Sequence, residues 1–299
     1  MRADLALATF ALVLLSASDA SAFCRTRTVP TPPDFDPAGG CFTQGAPLYH
    51  PSRCLPYRIA TPDTDFFLVP PWILSDRLAR AFAAWTMPNA HCSPGISTVE
   101  LEQVTRGVVA SYTTGERGDN IVGFVRPWTH GTGETLALAT LTFDATSGEV
   151  FDVDLEINDE ITWSTADTPP ADGFDLQAAL THEAGHVLGL AHTSDADATM
   201  FAAYTPGSIG QRSLSDDDML GVCEMYPTHF TRNTAAGPVP ATQCRLAPGS
   251  ATEGCGDPQI THGCAASPAA TKETGAAAAL VALALSRAAS WRRRRAARR

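Results

Sequence analysis

The strongest constraint on this chain is the spacing of three histidines, His182, His186 and His192, within one short stretch. The first two stand four residues apart in an Ala- and Leu-rich segment, 176–188, so a helix places both imidazoles on one face. On that same helix His192 would lie ~15 Å further along the axis than His182, because each residue rises about 1.5 Å. The three rings meet only if the chain turns back, and Gly189 suits the positive φ that ends a helix.

Three imidazoles brought together in this way predict a zinc site. Zinc binds nitrogen at about 2.0–2.1 Å, and a site with three protein ligands keeps a fourth position for water, which is typical of catalytic zinc. Glu183 is adjacent to a ligand without being needed as one, so we expect it to act as general base on a zinc-activated water. A helix with core-facing histidines is the alternative, but a chance match to this spacing is on the order of 10⁻⁵ for this composition.

The stretch 182–192 follows the pattern H-E-x-x-H-x-x-G-x-x-H, which resembles the zinc motif of the metzincin endopeptidases. Met200, eight residues after the last histidine, stands where that clan places the methionine of its Met-turn. Tyr204 follows four residues later, as in the matrixins, and the segment 213–227 is similar to the closing helix of matrixin catalytic domains. The resemblance covers residues 54–227.

This resemblance implies a zinc endopeptidase in which His182, His186 and His192 hold the metal. Glu183 would then be the general base and later the acid that protonates the leaving amine, and Met200 would form an apolar floor under the metal. A catalytically inactive zinc-binding surface or adhesion protein with a protease fold is the alternative function, and the presence of Glu183 argues against it. A zinc peptidase with a remote glutamate ligand is disfavoured because His192 already supplies the third ligand.

The predicted fold is α+β, with a mixed sheet of roughly five strands, a backing helix, an active-site helix and a small C-terminal subdomain. Apolar residues at helical spacing place the backing helix at Trp72–Met87. A capping box formed by Ser215 and Asp218 opens the closing helix, which ends near Met225. The five β-rich runs are 54–59, 97–104, 120–125, 136–143 and 151–157.

The metzincin resemblance also implies that an extended substrate pairs with the strand nearest the cleft. Residues 136–142 are the candidate for this edge strand. An ordinary buried strand is the alternative interpretation of the same run.

A cluster of acidic residues lies on the last predicted strand and in the loop after it, and it indicates one of two features. It is either a calcium site, as matrixins often have, or a solvated acidic face, and we favour the solvated face because no EF-hand-like spacing is present. His130 alone does not suffice for a second, structural zinc, so the sequence predicts one zinc, with calcium as an optional further cofactor. The acidic residues are Asp152, Asp154, Glu156, Asp159 and Glu160.

Residues 1–22 combine an early arginine, an apolar run and a small-residue cleavage site, so they are predicted to be a secretory signal peptide. A transmembrane anchor is the alternative, but the apolar run is too short for it. Export favours disulfides among the eight cysteines, although their pairing stays open. Residues 23–53 are predicted to be a Pro-rich, disulfide-tied segment, and a disulfide role for Cys24 is favoured over a thiolate that binds the zinc and confers latency.

The composition changes after residue 227 to Thr, Ala, Pro and Gly, which indicates a linker over 228–263. Residues 264–299 begin with Cys264 and contain an Ala- and Leu-rich run, interpreted as a helix, followed by an arginine cluster. This tail resembles the C-terminal sorting tails of myxobacterial surface proteins, whereas an amphipathic or disordered basic tail is the alternative. The protein is therefore expected to be secreted or extracellular, with retention at the cell surface through the tail.

The charge distribution argues against nucleic acid as a partner. The formal net charge is −11, yet seven of the 21 basic residues follow residue 286. Residues 23–286 contain 13 basic and 30 acidic side chains, and so acidic a region does not attract a polyanion. The expected partner is a protein or peptide substrate, and a monomer is expected.

Overall fold

The computed structural model describes residues 23–51, 54–60, 69–86, 91–92, 95–96, 100–108, 120–130, 135–226, 231–234, 237–240 and 278–287. The predicted signal peptide and the cysteine at the start of the predicted tail lie outside these ranges. None of the helices within them has both the length and the apolar character that a membrane span requires.

The helices of the described ranges are α1 (Pro71–Thr86), α2 (Leu176–Leu188) and α3 (Asp216–Met225), with short 3-10 turns at Pro37–Gly39 and Gly210–Arg212. The strands are β1 (Cys24–Arg25), β2 (Cys54–Ala60), β3 (His91–Cys92), β4 (Gly95–Ile96), β5 (Glu100–Val108), β6 (Ile121–Val125), β7 (Thr135–Asp144), β8 (Val150–Asn158), β9 (Trp163–Ser164), β10 (Phe174–Asp175), β11 (Leu190–Ala191), β12 (Ala203–Tyr204), β13 (Thr231–Thr234), β14 (Gly237–Pro240) and β15 (Ala278–Arg287).

The main sheet has the strand order β12-β15-β7-β8-β6-β2-β5. Five of its members, β2, β5, β6, β7 and β8, correspond to the five runs predicted from the sequence. The sheet is mixed because β7 is antiparallel to β8, whereas β8, β6, β2 and β5 run parallel to one another. The predicted α+β class is confirmed, and β12 and β15 extend the sheet beyond β7.

The apolar run of the C-terminal tail forms a strand, so its interpretation as a helix is wrong. The strand β15 pairs antiparallel with β7 from Ala278 opposite Asp144 to Ser286 opposite Thr135. A short apolar run carries no periodicity that separates a strand from a helix, and here an open sheet edge supplies backbone partners. The segment predicted as a linker also contains structure, the antiparallel pair β13 and β14.

The N-terminal segment 23–51 is built into the domain by backbone pairing as well as by a disulfide. Cys24 is bonded to Cys41, so Cys24 has a disulfide role and is not available as a thiolate for a metal. The strand β1 pairs with β11, and the backbone N–H of Thr26 donates to the carbonyl of Gly189 over 2.9 Å. Leu48 is fully buried in the main apolar core.

Helices α1 and α2 pack together around a buried tryptophan. Trp85 is fully buried, and its indole Nε1 donates to the carbonyl oxygen of Thr181 over 2.8 Å. On the same side of α2, a Cβ atom at Gly185 would lie 2.2 Å from Sδ of Met200 and 2.8 Å from Cζ2 of Trp85. Because protein interiors are close-packed, this contact admits only glycine.

We expect Gly185→Ala to destabilise the protein. Alanine gains helix propensity of about 1 kcal/mol over glycine, but overpacking against the Trp85 ring costs roughly 1–3 kcal/mol, so the free energy of unfolding should fall. The measurement is urea unfolding followed by near-ultraviolet circular dichroism. Gly39→Ala is the matched control, since a Cβ there has nothing within 4 Å; equal stability of the two variants would contradict the packing described here.

Candidate metal centre

Three histidine side chains meet at the C-terminal half of α2. Among the residues that the structure describes, His182, His186 and His192 are the group of three or more metal-binding side chains whose ligand atoms all lie within 4.8 Å of one another. Nε2 of His192 lies 3.2 Å from Nε2 of His182 and 3.1 Å from Nε2 of His186. Ligands bound at 2.0–2.1 Å to a tetrahedral zinc would lie about 3.4 Å apart, so the separations fit a single metal ion.

The other nitrogen of two of these rings is occupied by a backbone carbonyl. Nδ1 of His182 lies 2.6 Å from the carbonyl oxygen of Thr199, and Nδ1 of His186 lies 2.8 Å from that of Leu190. A carbonyl oxygen only accepts hydrogen bonds, so Nδ1 carries the proton and the lone pair of Nε2 faces the centre. Lone pairs directed at one point repel each other unless a cation lies between them, and this donor set suits zinc.

The turn that brings His192 to the other two rings occurs at Gly189, as the sequence predicted. Gly189 ends α2 with φ of 103°, in the left-handed region that favours glycine. Its N–H donates to the carbonyl of His186 over 2.9 Å. The chain then returns as β11, which pairs with β1, and this pairing fixes the path of the two residues before His192.

Asp218 holds the turn that contains Met200, a role that sequence reasoning missed. The capping box of Ser215 and Asp218 that opens α3 is present as predicted. The Asp218 carboxylate also accepts hydrogen bonds from the backbone N–H of Thr199 (2.7 Å) and of Met200 (3.0 Å). Since the Thr199 carbonyl orients His182, Asp218 is a positioning residue for the histidine group, but its distance along the chain from Thr199 provides no local signal.

The loop after Met200 is anchored to the start of α2 by a buried carboxylate. Asp175 caps α2 by accepting a hydrogen bond from the N–H of Ala178 over 2.7 Å. The same oxygen accepts from Nε of Arg212 over 2.8 Å, and the N–H of Asp175 donates to the hydroxyl of Tyr204 over 3.0 Å. The segment from β12 to Arg212 is therefore held against the helix that presents the histidines.

Burial keeps the three imidazoles neutral at neutral pH. It lowers the pKa of His182 to about 3 and that of His192 to about 4. The pKa of His186 lies well below its ordinary value for the same reason. The neutral ring is the form that binds metal. Glu183, which follows His182 in α2, is fully buried.

Four of the five acidic residues near β8 are buried, so the interpretation as a solvated face is wrong for all of them except Glu160, which is exposed. Asp154 accepts a hydrogen bond from the N–H of Ile121 over 3.0 Å, and burial raises its pKa to about 7. Oε1 of Glu156 lies 3.2 Å from Nε2 of His130, and Asp159 forms an ion pair with Arg126. The carboxyls are thus covered by polar groups of the neighbouring β6 segment, a tertiary effect that charge patterning alone does not reveal.

Three relatives illustrate the similarity of this chain to known proteins. Rat matrilysin is 26% identical over 181 residues, which cover 60% of this chain and 59% of the relative. Human matrilysin is 30% identical over 176 residues, which cover 58% of this chain and 57% of the relative. Human stromelysin-3 is 38% identical over 131 residues, covering 41% of this chain and 25% of the relative. The chain therefore matches less than two thirds of the length of each.

The comparison at family level spans the elements that form the candidate site. A model of the matrixin family of peptidases matches residues 52–227. This range runs from β2 through α3 and includes the three histidines, Glu183, Met200 and Asp218. Because the match covers more than half of the chain, the protein belongs to the matrixin family of metzincin-type zinc metalloendopeptidases.

Proposed function

We propose that this protein is a secreted zinc endopeptidase, with His182, His186 and His192 as ligands of a single catalytic zinc and Glu183 as the general base. The observation that carries the proposal is the convergence of the three Nε2 atoms, 3.1 and 3.2 Å apart. When bound, zinc lowers the pKa of a coordinated water and polarises the scissile carbonyl. The substrate class is protein or peptide.

The remaining chemistry falls to the residues of this chain. Glu183 takes a proton from the attacking water and returns it to the leaving amine, which general acid–base catalysis requires. Its burial beside His182 restricts the protons that it can exchange to those inside the site. Met200 packs beneath α2 at Gly185 and acts as an apolar support, because its soft thioether is a poor partner for a site that already has three nitrogens.

We also propose that the protein acts outside the cytoplasm, as a monomer, and that residues 264–299 retain it at the cell surface. The signal-peptide pattern of residues 1–22 supports export. The disulfide between Cys24 and Cys41 supports it independently, because disulfides persist in oxidising compartments.

Glu183→Ala tests the mechanism. The variant keeps all three imidazoles, so it should bind zinc with the stoichiometry of the wild type while peptide hydrolysis falls by about 10²–10⁴-fold or more. Glu224→Ala is the matched control, since Glu224 is an exposed glutamate on α3, and its activity should equal that of the wild type. The measurements are zinc content by mass spectrometry and cleavage of a mixed peptide library.

Different results would contradict the zinc-ligand role of the histidines and the general-base role of Glu183. His186→Ala should lose both zinc and activity, because one of three ligands is missing. A Glu183→Ala protein that keeps most of its activity would refute the general-base role. A wild-type protein that holds zinc and cleaves nothing in the library would favour the inactive adhesion protein instead.

The buried histidines predict a pH dependence of stability in the metal-free protein. The pKa of His182 is about 3 in the folded state and about 6.5 in an unfolded chain, so between these values the unfolded state binds more protons. The free energy of unfolding should therefore fall as pH drops below about 6.5, by roughly 2 kcal/mol for one such group between pH 7 and pH 5.

Asp154, with a pKa of about 7, titrates in the same pH range and has the opposite effect on the free energy of unfolding. A variant that lacks His182 is therefore needed to isolate the contribution of His182. The experiment is urea unfolding at pH 7 and pH 5, in the presence of a chelator, for the wild type and His182→Gln. The wild type should lose more stability between the two pH values than the variant. Equal losses would show that His182 is not held in its neutral form.

A further inference from the structure

The strand β15 lies between β7 and β12 in the main sheet. On one side it pairs antiparallel with β7, residue by residue from Ala278 to Leu285. On the other side its last two residues, Ser286 and Arg287, pair in parallel with β12. Both β7 and β15 also approach α2, the helix that carries two of the histidines.

The neighbours of β15 tie it to the histidine group. The strand β12 begins three residues after Met200, and the Met200 turn supplies the carbonyl that orients His182. The register of β15 shifts between Leu285 and Ser286. Up to Leu285 the strand pairs with β7 alone, and from Ser286 it also pairs with β12. The C-terminal end of β15 therefore lies between β7 and the segment that follows the Met200 turn.

We propose that β15 is an autoinhibitory strand that occupies the substrate groove of its own chain. Without β15, β7 would be the edge of the sheet, with a row of backbone N–H and C=O groups open on one side. An extended peptide gains affinity by adding a strand to such an edge. A peptide substrate and β15 thus compete for the same backbone groups.

Covalent linkage favours β15 in this competition. Residues 241–277 connect β14 to β15, so docking is intramolecular, and an intramolecular partner acts at an effective concentration that reaches the order of mM. A free peptide must reach a comparable concentration, or bind more tightly, to displace the strand.

Charge complementarity adds to this preference. Arg287 ends β15, and six further arginines follow it, whereas residues 23–286 contain 30 acidic against 13 basic side chains. Attraction between the basic end and the acidic domain acts over about 10 Å at moderate salt. The inhibition should therefore weaken as the ionic strength rises.

The test uses the full exported chain with Ala282→Pro and Leu283→Pro together. Proline has no N–H, and backbone N–H groups of successive residues point to opposite sides of a strand, so two adjacent prolines remove a bond to β7 whichever residue donates it. The matched control is Ala288→Pro with Ala289→Pro, which lie beyond the end of β15.

Hydrogen exchange reports on docking whether or not the protein is a peptidase. In the wild type and in the control, amides on both sides of β7 between Ala137 and Leu141 should exchange slowly. In the β15 variant, alternate amides of this stretch should exchange at least tenfold faster, and those that face β8 should remain slow. Equal protection of all three proteins would overturn the proposal. Equal zinc content, together with slow exchange of the amides that face β8, excludes general misfolding.

Kinetics then test the inhibition, which rests on the proposed peptidase function. The β15 variant should show an apparent KM at least tenfold lower than the wild type with unchanged kcat, and the control should match the wild type. A protein cut specifically between β14 and β15, by a protease site inserted in residues 241–277, should gain activity once the released tail is removed. An active enzyme whose KM is unchanged in the β15 variant would overturn the proposed autoinhibition. Faster exchange of the β7 amides in the β15 variant, with no activity in any of the proteins, would refute only the peptidase function.

Discussion

The approach of three imidazole nitrogens to one point is the interaction on which the rest of this structure depends. Burial removes the rings from water, and the carbonyls of Thr199 and Leu190 direct two of the Nε2 lone pairs inward. Such an arrangement is costly without a cation, so the fold must enforce it. Gly189 reverses the chain, and Asp218 fixes the turn that orients His182.

The sequence predicted the parts that are governed by local rules. The spacing of His182 and His186 required a helix, and a single glycine located its end, because few other residues adopt a positive φ at so little cost. The capping box of Ser215 located α3 for a similarly local reason. The five sheet strands followed from β-rich, largely apolar runs bounded by turn residues.

The predictions that were wrong or incomplete share a physical cause. In each case, contacts between segments that are distant in the sequence determined the structure. The Ala- and Leu-rich run at Ala278 became a strand because β7 offered free backbone partners. The carboxyls near Asp154 are buried because polar groups from a neighbouring segment cover them. Asp218 has a second role as a support for the Met200 turn, because the fold brings the start of α3 close to Met200. No spacing pattern in the sequence predicts this contact.

The most direct test of the central claim is X-ray absorption at the zinc edge of the purified, zinc-loaded protein. The account predicts four light-atom neighbours, with three imidazole nitrogens at about 2.0–2.1 Å and one oxygen from water. His192→Ala should remove one imidazole contribution or the metal itself. A shell that contains sulfur at about 2.3 Å, or a wild-type protein that retains no zinc after dialysis, would contradict the assignment of His182, His186 and His192 as the metal site.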